Sequence, residues 1–216
     1  MDTDGAAGGT AHWDAVYRAR AEDRLTWFEA TPTLSLELIA RHAVPGRPVI
    51  DVGGGASRLA EALVARGVGP VTVLDLSPEA LAASRARMGA AAAQVDWIAA
   101  DVTGWVPDRR YGLWHDRAVF HFLTDAAQRA GYLRALDAAL DPDGAAILMT
   151  FAEDGPETCS GLPVRRYSPD TLAAEVEAHL PGRFRLAERG RHVHVTPKGN
   201  RQAFQLSVLR RQEQAE

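Results

Sequence analysis

Three acidic residues and a run of glycines carry the clearest chemistry in this chain. Asp51 lies just ahead of Gly53-Gly54-Gly55, Asp75 follows 20 residues beyond Gly55, and Asp101 follows 26 residues beyond Asp75. Glycine lets the backbone approach a ligand closely and turn sharply into a helix. A carboxylate at Asp75 can accept from both hydroxyls of a ribose, and one at Asp101 can accept from an adenine amino group. Hydrogen bonds to charged groups contribute roughly 1.5–3 kcal/mol each, so two such acids matter to nucleoside affinity. Taken singly, each feature has an ordinary reading as a tight turn, a helix cap or a loop carboxylate. Their position at three successive strand ends is what points to a nucleoside.

The elements that hold these residues follow from local patterns. Pro48–Val52 reads as a buried strand running into the glycines, Val71–Asp75 as a second and Val95–Ile98 as a third. Tyr111–Trp114 and Ala145–Phe151 read as a fourth and a fifth. Helices are expected over Leu59–Val64, after the Ser77 cap with Pro78 at its first position, and over Ala126–Leu140 before a Pro142-Asp143-Gly144 turn. Two more are expected around His12–Tyr17 and over Pro32–Arg41. This alternation predicts an α/β fold with a doubly wound, mostly parallel sheet and helices on both faces. Phe184–Leu186 and Gln202–Val208, joined by a Pro197–Asn200 turn, predict a C-terminal antiparallel hairpin. Open α/β sheets bind ligands at the carboxyl ends of their strands, where the glycines, Asp75 and Asp101 all stand.

Bulk properties narrow the class. With 216 residues, 46% hydrophobic and 24% charged, the chain fits one core domain. A formal net charge of −4 argues against a nucleic-acid partner. A single cysteine, Cys159, suits a reducing compartment, and no apolar run is long enough to span a bilayer. The expected location is therefore cytoplasmic, without a membrane partner. The expected organisation is a disordered tail over residues 1–10, an N-terminal helical cap over the cofactor site across 11–45, and the cofactor-binding domain across 46–212.

The charge pattern also distinguishes between cofactors. A dinucleotide site wants G-x-G-x-x-G, and here Gly55 is followed by Ala56, Ser57 and Arg58. Asp51 would repel a pyrophosphate but suits a ligand with a cationic amino-acid end. S-adenosylmethionine (SAM) carries an amino group and a sulfonium, so the pattern selects SAM. An NAD-dependent oxidoreductase is correspondingly disfavoured.

On these residues the chain resembles the class I SAM-dependent methyltransferases. Val49–Gly55 is similar to their glycine motif, Asp75 to their ribose-binding acid and Asp101-Val102 to their adenine-side acid. The resemblance implies a seven-stranded sheet, SAM as cofactor and S-adenosylhomocysteine as product. It implies a cofactor set of Asp51, Gly53, Gly54, Gly55, Ser57, Asp75, Leu76, Asp101, Val102, His115 and Trp27. Ser57 departs from a glycine found in many members; its hydroxyl is expected to cap the following helix.

The methyl acceptor is harder to read, because methyl transfer chiefly requires alignment and a lone pair. Leu113–Phe122 is the segment expected to face the methyl group. His115 and His121 are candidate bases, since imidazole titrates near neutrality, and Asp116 could orient one of them. The alternative is that Asp116-Arg117 forms a structural ion pair. Trp114, Asp116 and Arg117 are similar to a Trp-Asp-Arg stretch of thiopurine-type thiol methyltransferases, here with His115 inserted. Trp27-Phe28-Glu29 and the Gly-x-Ser form are similar to protein-lysine methyltransferases. Substrate contacts are expected from Trp13, Tyr17, Phe28, Glu29, Arg117, Phe151 and Cys159. His192 and His194 alternate, but nothing at close spacing completes a metal site, so no metal is expected. The leading expectation is a small-molecule acceptor, a thiol or similar heteroatom. A protein-lysine acceptor and a non-catalytic SAM sensor are the alternatives, and a monomer or homodimer is expected.

Overall fold

A computed structural model describes residues 8–212. Five strands, all but the third and fourth separated by helices, come before the chain turns back on itself. They are β1 (Val49–Val52), β2 (Val71–Asp75), β3 (Val95–Ala99), β4 (Tyr111–Arg117) and β5 (Leu140–Phe151). With β8 (Phe184–Val195) and β9 (Arg201–Arg211) they form one seven-stranded sheet in the order β3-β2-β1-β4-β5-β9-β8. The first five strands are parallel, while β9 runs antiparallel to β5 and β8 antiparallel to β9. The doubly wound sheet and its C-terminal hairpin are thus as the alternation predicts. A two-residue hairpin, β6 (Thr158–Cys159) with β7 (Leu162–Pro163), stands apart from the sheet.

Helices cover both faces, which is why β1 and β2 are buried along their whole length. Leu38 and Ile39 of α2 (Thr33–His42), Leu59 and Leu63 of α3 (Leu59–Ala65) and Leu81 of α4 (Pro78–Met88) pack with Val49, Val71 and Val73. On the other face, Leu133 and Leu136 of α5 (Ala126–Ala139) and Leu172 of α6 (Pro169–His179) pack with Ile50, Val52, Trp114 and Leu148. Strand order reverses between β1 and β4, so a crevice opens where the chain leaves these two strands.

Several boundaries differ from the pattern-based expectation. β4 runs on to Arg117, which carries His115 and Asp116 into the sheet. The expected Pro142–Gly144 turn lies inside β5, where the pairing with β4 slips. β8 extends to Val195 because its residues alternate buried and exposed, and α6 went unpredicted. Of the tail expected over residues 1–10, residues 1–7 lie outside the described residues; Gly8 and Gly9 lead into α1 (Thr10–Ala19). Among the described residues no helix is long and apolar enough to cross a membrane.

Candidate active site

A cleft of about 430 Å³ runs across the carboxyl ends of β3, β2, β1 and β4. Gly53, Asp75, Leu76, Asp101 and Val102 line it, as expected for a nucleoside-binding wall. α1 contributes Trp13 and Tyr17; Trp27, Arg117 and Cys159 complete the opposite wall. Its size is in the range of ordinary small-ligand sites, roughly 300–1,000 Å³.

The glycine loop is shaped by its neighbours. Gly53 has φ +68°, and a Cβ there would lie 2.0 Å from the Val119 side chain. Gly55 has φ +37°, and a Cβ there would meet the Asp75 carboxylate at 2.7 Å and the Tyr17 hydroxyl at 2.8 Å. Any larger residue at Gly55 would push Asp75 and Tyr17 out of position. Ser84 Oγ donates to the Gly55 carbonyl at 2.7 Å and fixes the loop from below. Ser57 Oγ accepts from Leu59 N–H at 3.0 Å, one residue ahead of the helix cap at Arg58.

Asp75 Oδ1 accepts the Ser77 N–H at 2.8 Å. Burial pushes its carboxyl up to about 7, against the pull of the Ser77 hydrogen bond, and Asp51 adds to the rise. A carboxylate this close to neutrality binds best when ligand donors arrive to stabilise its charge. Asp101 is exposed, and its Oδ1 already accepts from both the N–H and the hydroxyl of Thr103 at 2.8 Å. Ser77 also ties α1 to α4: its hydroxyl donates to Asp14 at 2.5 Å while capping the Ala80 N–H.

A second cavity of about 50 Å³ adjoins the first, with Gly53, Trp27 and Arg117 lining both. Asp51, Gly54, Ser57, Phe28, Glu29 and His115 line the smaller one. Asp51 and His115 are register partners across β1 and β4. His115 Nδ1–H donates to Asp51 Oδ1 at 2.7 Å, which leaves Nε2 to accept from Ser35 Oγ at 2.9 Å. Both ring nitrogens are therefore engaged, and the ring is 2% exposed.

Asp116, His121, Phe151 and Gly55 line neither cavity. Asp116 accepts the N–H groups of Val119 and Phe120 at 2.8 and 3.0 Å and the Tyr132 hydroxyl at 2.6 Å. Burial still raises its carboxyl to about 6. What it does is hold the turn after β4. That turn keeps Ala118 at φ +75°, a strained conformation for a residue with a Cβ, and presents Ala118 and Val119 to the cleft. His121 is fully buried against Phe151; its Nδ1 accepts the Phe151 N–H at 3.2 Å. Burial, then the Arg117 charge, pushes the ring down to about 3, so it stays neutral. Phe151 in turn packs on Phe204.

Arg117 pairs with Glu29 at 3.2 Å rather than with Asp116, so the alternative Asp116-Arg117 ion pair is not the one formed. It also donates to the Trp27 carbonyl at 3.1 Å and to His194 Nδ1 at 3.3 Å, and His194 Nε2–H donates to the Thr26 carbonyl at 2.8 Å. Burial works to raise the Glu29 carboxyl, but His194 and Arg117 outweigh it and the carboxyl sits below its ordinary value. This network clamps residues 26–29 between β4 and β8 and thereby places Trp27. Trp27 stands edge-on to Trp13 and Tyr17, and Trp13 edge-on to Phe122.

Pattern reading missed His194, weighed only as a metal ligand, and Ser35 and Asp14. It also missed Gln128 of α5, which lines the cleft. His194 had a signal in its alternation with His192; the others are single polar residues whose partners lie far away in sequence. Among the described residues no group of three His, Cys, Asp or Glu could hold a metal ion.

Known proteins bear out the architecture. Residues 49–144 match a family model described as a methyltransferase domain. No curated protein matches the chain. A structure from work on conversion of a disulfide bond into a thioacetal group during echinomycin biosynthesis has a TM-score of 0.75 at 21% identity, covering 96% of this chain and 93% of the other. The Burkholderia thailandensis 1,6-didemethyltoxoflavin-N1-methyltransferase, with bound 1,6-didemethyltoxoflavin and S-adenosylhomocysteine, scores 0.70 at 22% identity, covering 94% and 88%. The glycopeptide N-methyltransferase MtfA with sinefungin scores 0.65 at 18%, covering 88% and 98%. These likenesses establish the shared fold, and the domain match spans the glycine loop, Asp75, Asp101 and the turn after β4. Residues 49–144 thus match a methyltransferase domain, and the chain shares its fold with SAM-dependent methyltransferases.

Proposed function

We propose that this methyltransferase acts on a small-molecule nucleophile, a thiol or similar heteroatom that arrives with its lone pair free. The observation that carries this reading is the wall opposite Asp75 and Asp101: Trp13, Trp27, Phe122, Cys159 and the partly buried cation Arg117. The cleft fits SAM in its donor set, with Asp75 for the ribose, Gly53 for close backbone approach, and an unpartnered Gln128 carboxamide oxygen beside Asp101. When bound, SAM would supply an electrophilic methyl on its sulfonium to an acceptor that has already lost its proton to solvent. Asp75 and the loop Gly53–Gly55 hold the donor, Asp116 fixes the turn that borders it, and residues 11–45 act as a cap that excludes water.

The titratable side chains favour an acceptor that needs no enzymic base. His115 is committed to Asp51 and Ser35, Asp116 to its turn, and Glu29 to Arg117. Lysine must lose a proton before it attacks, and each group that would take that proton is occupied. Arg117 adds positive potential at this wall, which favours a thiolate over an ammonium. Neighbours of the same fold include enzymes named for 1,6-didemethyltoxoflavin and for a glycopeptide. The test is methyl-labelled SAM incubated with a cell extract separated by size. Label in the small-molecule fraction is expected. Label confined to protein would overturn the acceptor class, and SAM binding with no label anywhere would favour a sensor.

A further inference from the structure

We propose that Gln128 reads the adenine of the cofactor and is a specificity-determining residue of the cleft. The inference rests on SAM occupying the main cleft. Gln128 lies in the first turn of α5, whose N-cap Asp125 accepts the N–H groups of Ala127 and Gln128 at 2.8 and 3.3 Å. That cap fixes the backbone and leaves the side chain to line the cleft with Asp101, Val102, Thr103 and Leu123. Its carboxamide oxygen is buried and has no hydrogen-bond partner. Buried polar atoms are almost always paired, and no protein donor holds this carboxamide in one orientation.

The chemistry of the two candidate readers differs. Asp101 offers only acceptors, and its Oδ1 is already committed twice to Thr103. A carboxamide carries a donor beside an acceptor. Adenine presents its amino donor beside a ring-nitrogen acceptor, an edge that glutamine pairs with in a bidentate manner. Rotation about the last side-chain bond of Gln128 brings either atom to face the cleft. Gln128 therefore matches the base in both polarity and geometry, whereas Asp101 matches half of it and chiefly shapes the turn through Thr103.

The experiment compares the dissociation constants of S-adenosylhomocysteine and its 6-deamino purine analogue by calorimetry. Wild type should prefer the adenine compound about tenfold, the scale of one hydrogen bond. Gln128→Leu should bring that ratio close to one, and Gln128→Glu, which keeps an oxygen acceptor, should retain most of it. Should the leucine variant fail to fold, Gln128→Ala reads the same ratio. A role in helix packing alone would change both affinities equally and leave the ratio intact. A tenfold preference that survives Gln128→Leu, or no preference in wild type, overturns the assignment. Failure of wild type to bind either compound would overturn the cofactor seating itself, which is a separate outcome.

Discussion

The wall that carries Asp75, Leu76, Asp101 and Val102 comes from the ends of two adjoining strands, β2 and β3. The wall that carries Trp13, Trp27, Arg117 and Cys159 comes from four separate segments of chain. In the first, strand pairing sets the spacing and the backbone does most of the positioning. In the second, side-chain contacts do it: Arg117 reaches Glu29, Trp27 and His194, and Trp13 packs against Trp27 and Phe122. A wall built from strand ends tolerates little change in ligand, while one built from side chains can be rebuilt for a new acceptor without disturbing the cofactor.

This division of labour is most exposed at Arg117. Arg117→Ala removes the clamp on residues 26–29, and a misplacement of about 1 Å can cost about 100-fold in rate. We expect kcat/KM for the acceptor to fall about 100-fold, while SAM affinity measured by calorimetry stays within about threefold. Glu29→Gln in the same chain removes the carboxylate left without its arginine partner, so a loss that persists in the double variant reflects alignment rather than stability. An equal loss of SAM affinity would mean that the two walls are not separable.

Asp75→Ala should act on the other wall. Losing two charge-assisted hydrogen bonds, at roughly 1.5 kcal/mol each, should weaken SAM binding about 100-fold. The acceptor KM at saturating SAM should not move. Unchanged SAM affinity would refute the ribose assignment.

The same carboxyl gives a pH signature. Asp75 sits near 7 in the folded protein against an ordinary value of 3.8. Its folded value is raised, so its contribution to stability is fully present below about pH 4 and declines as pH rises through about 7. Ligand affinity runs the opposite way, because the ionised form accepts from both hydroxyls. Between pH 6 and 8 the ionised fraction rises about tenfold, and SAM affinity should rise about as much. Calorimetry across that range should show this rise, and Asp75→Asn should flatten it; a flat wild-type profile would remove Asp75 titration from the binding step.

The contrast between the walls also explains what could be read from sequence. Strand ends can be found from short apolar runs and glycines, because the parallel sheet needs buried strands and each connection returns the chain to the same edge. Gly53, Asp75 and Asp101 were legible for that reason. The end of β4 was only half legible. His115 and Asp116 stood out as titratable residues after a strand, but β4 extends past them. Its register with β1 turns His115 towards Asp51, and the turn after it binds Asp116 in hydrogen bonds. The Arg117–Glu29–His194 cluster spans three elements, and no local pattern in the chain encodes it.

Cys159 offers the smallest effect and the finest test of how the acceptor wall works. It lines the cleft beside Arg117 and is 8% exposed. Burial pushes its thiol up to about 11, and the Ser160 hydrogen bond and the Arg117 charge recover only part of that rise. At pH 8 about one molecule in a thousand carries the thiolate, the form that attacks. We expect Cys159 to act as a small apolar wall residue rather than as a methyl acceptor or a covalent relay. Cys159→Ala should change kcat by less than about threefold and alter KM for the acceptor by a similar factor, since one sulfur atom of packing is lost. Loss of turnover in this variant, or recovery of labelled methyl on Cys159 after proteolysis and mass spectrometry, would make the thiol a participant. The acceptor wall would then be reactive as well as shaped.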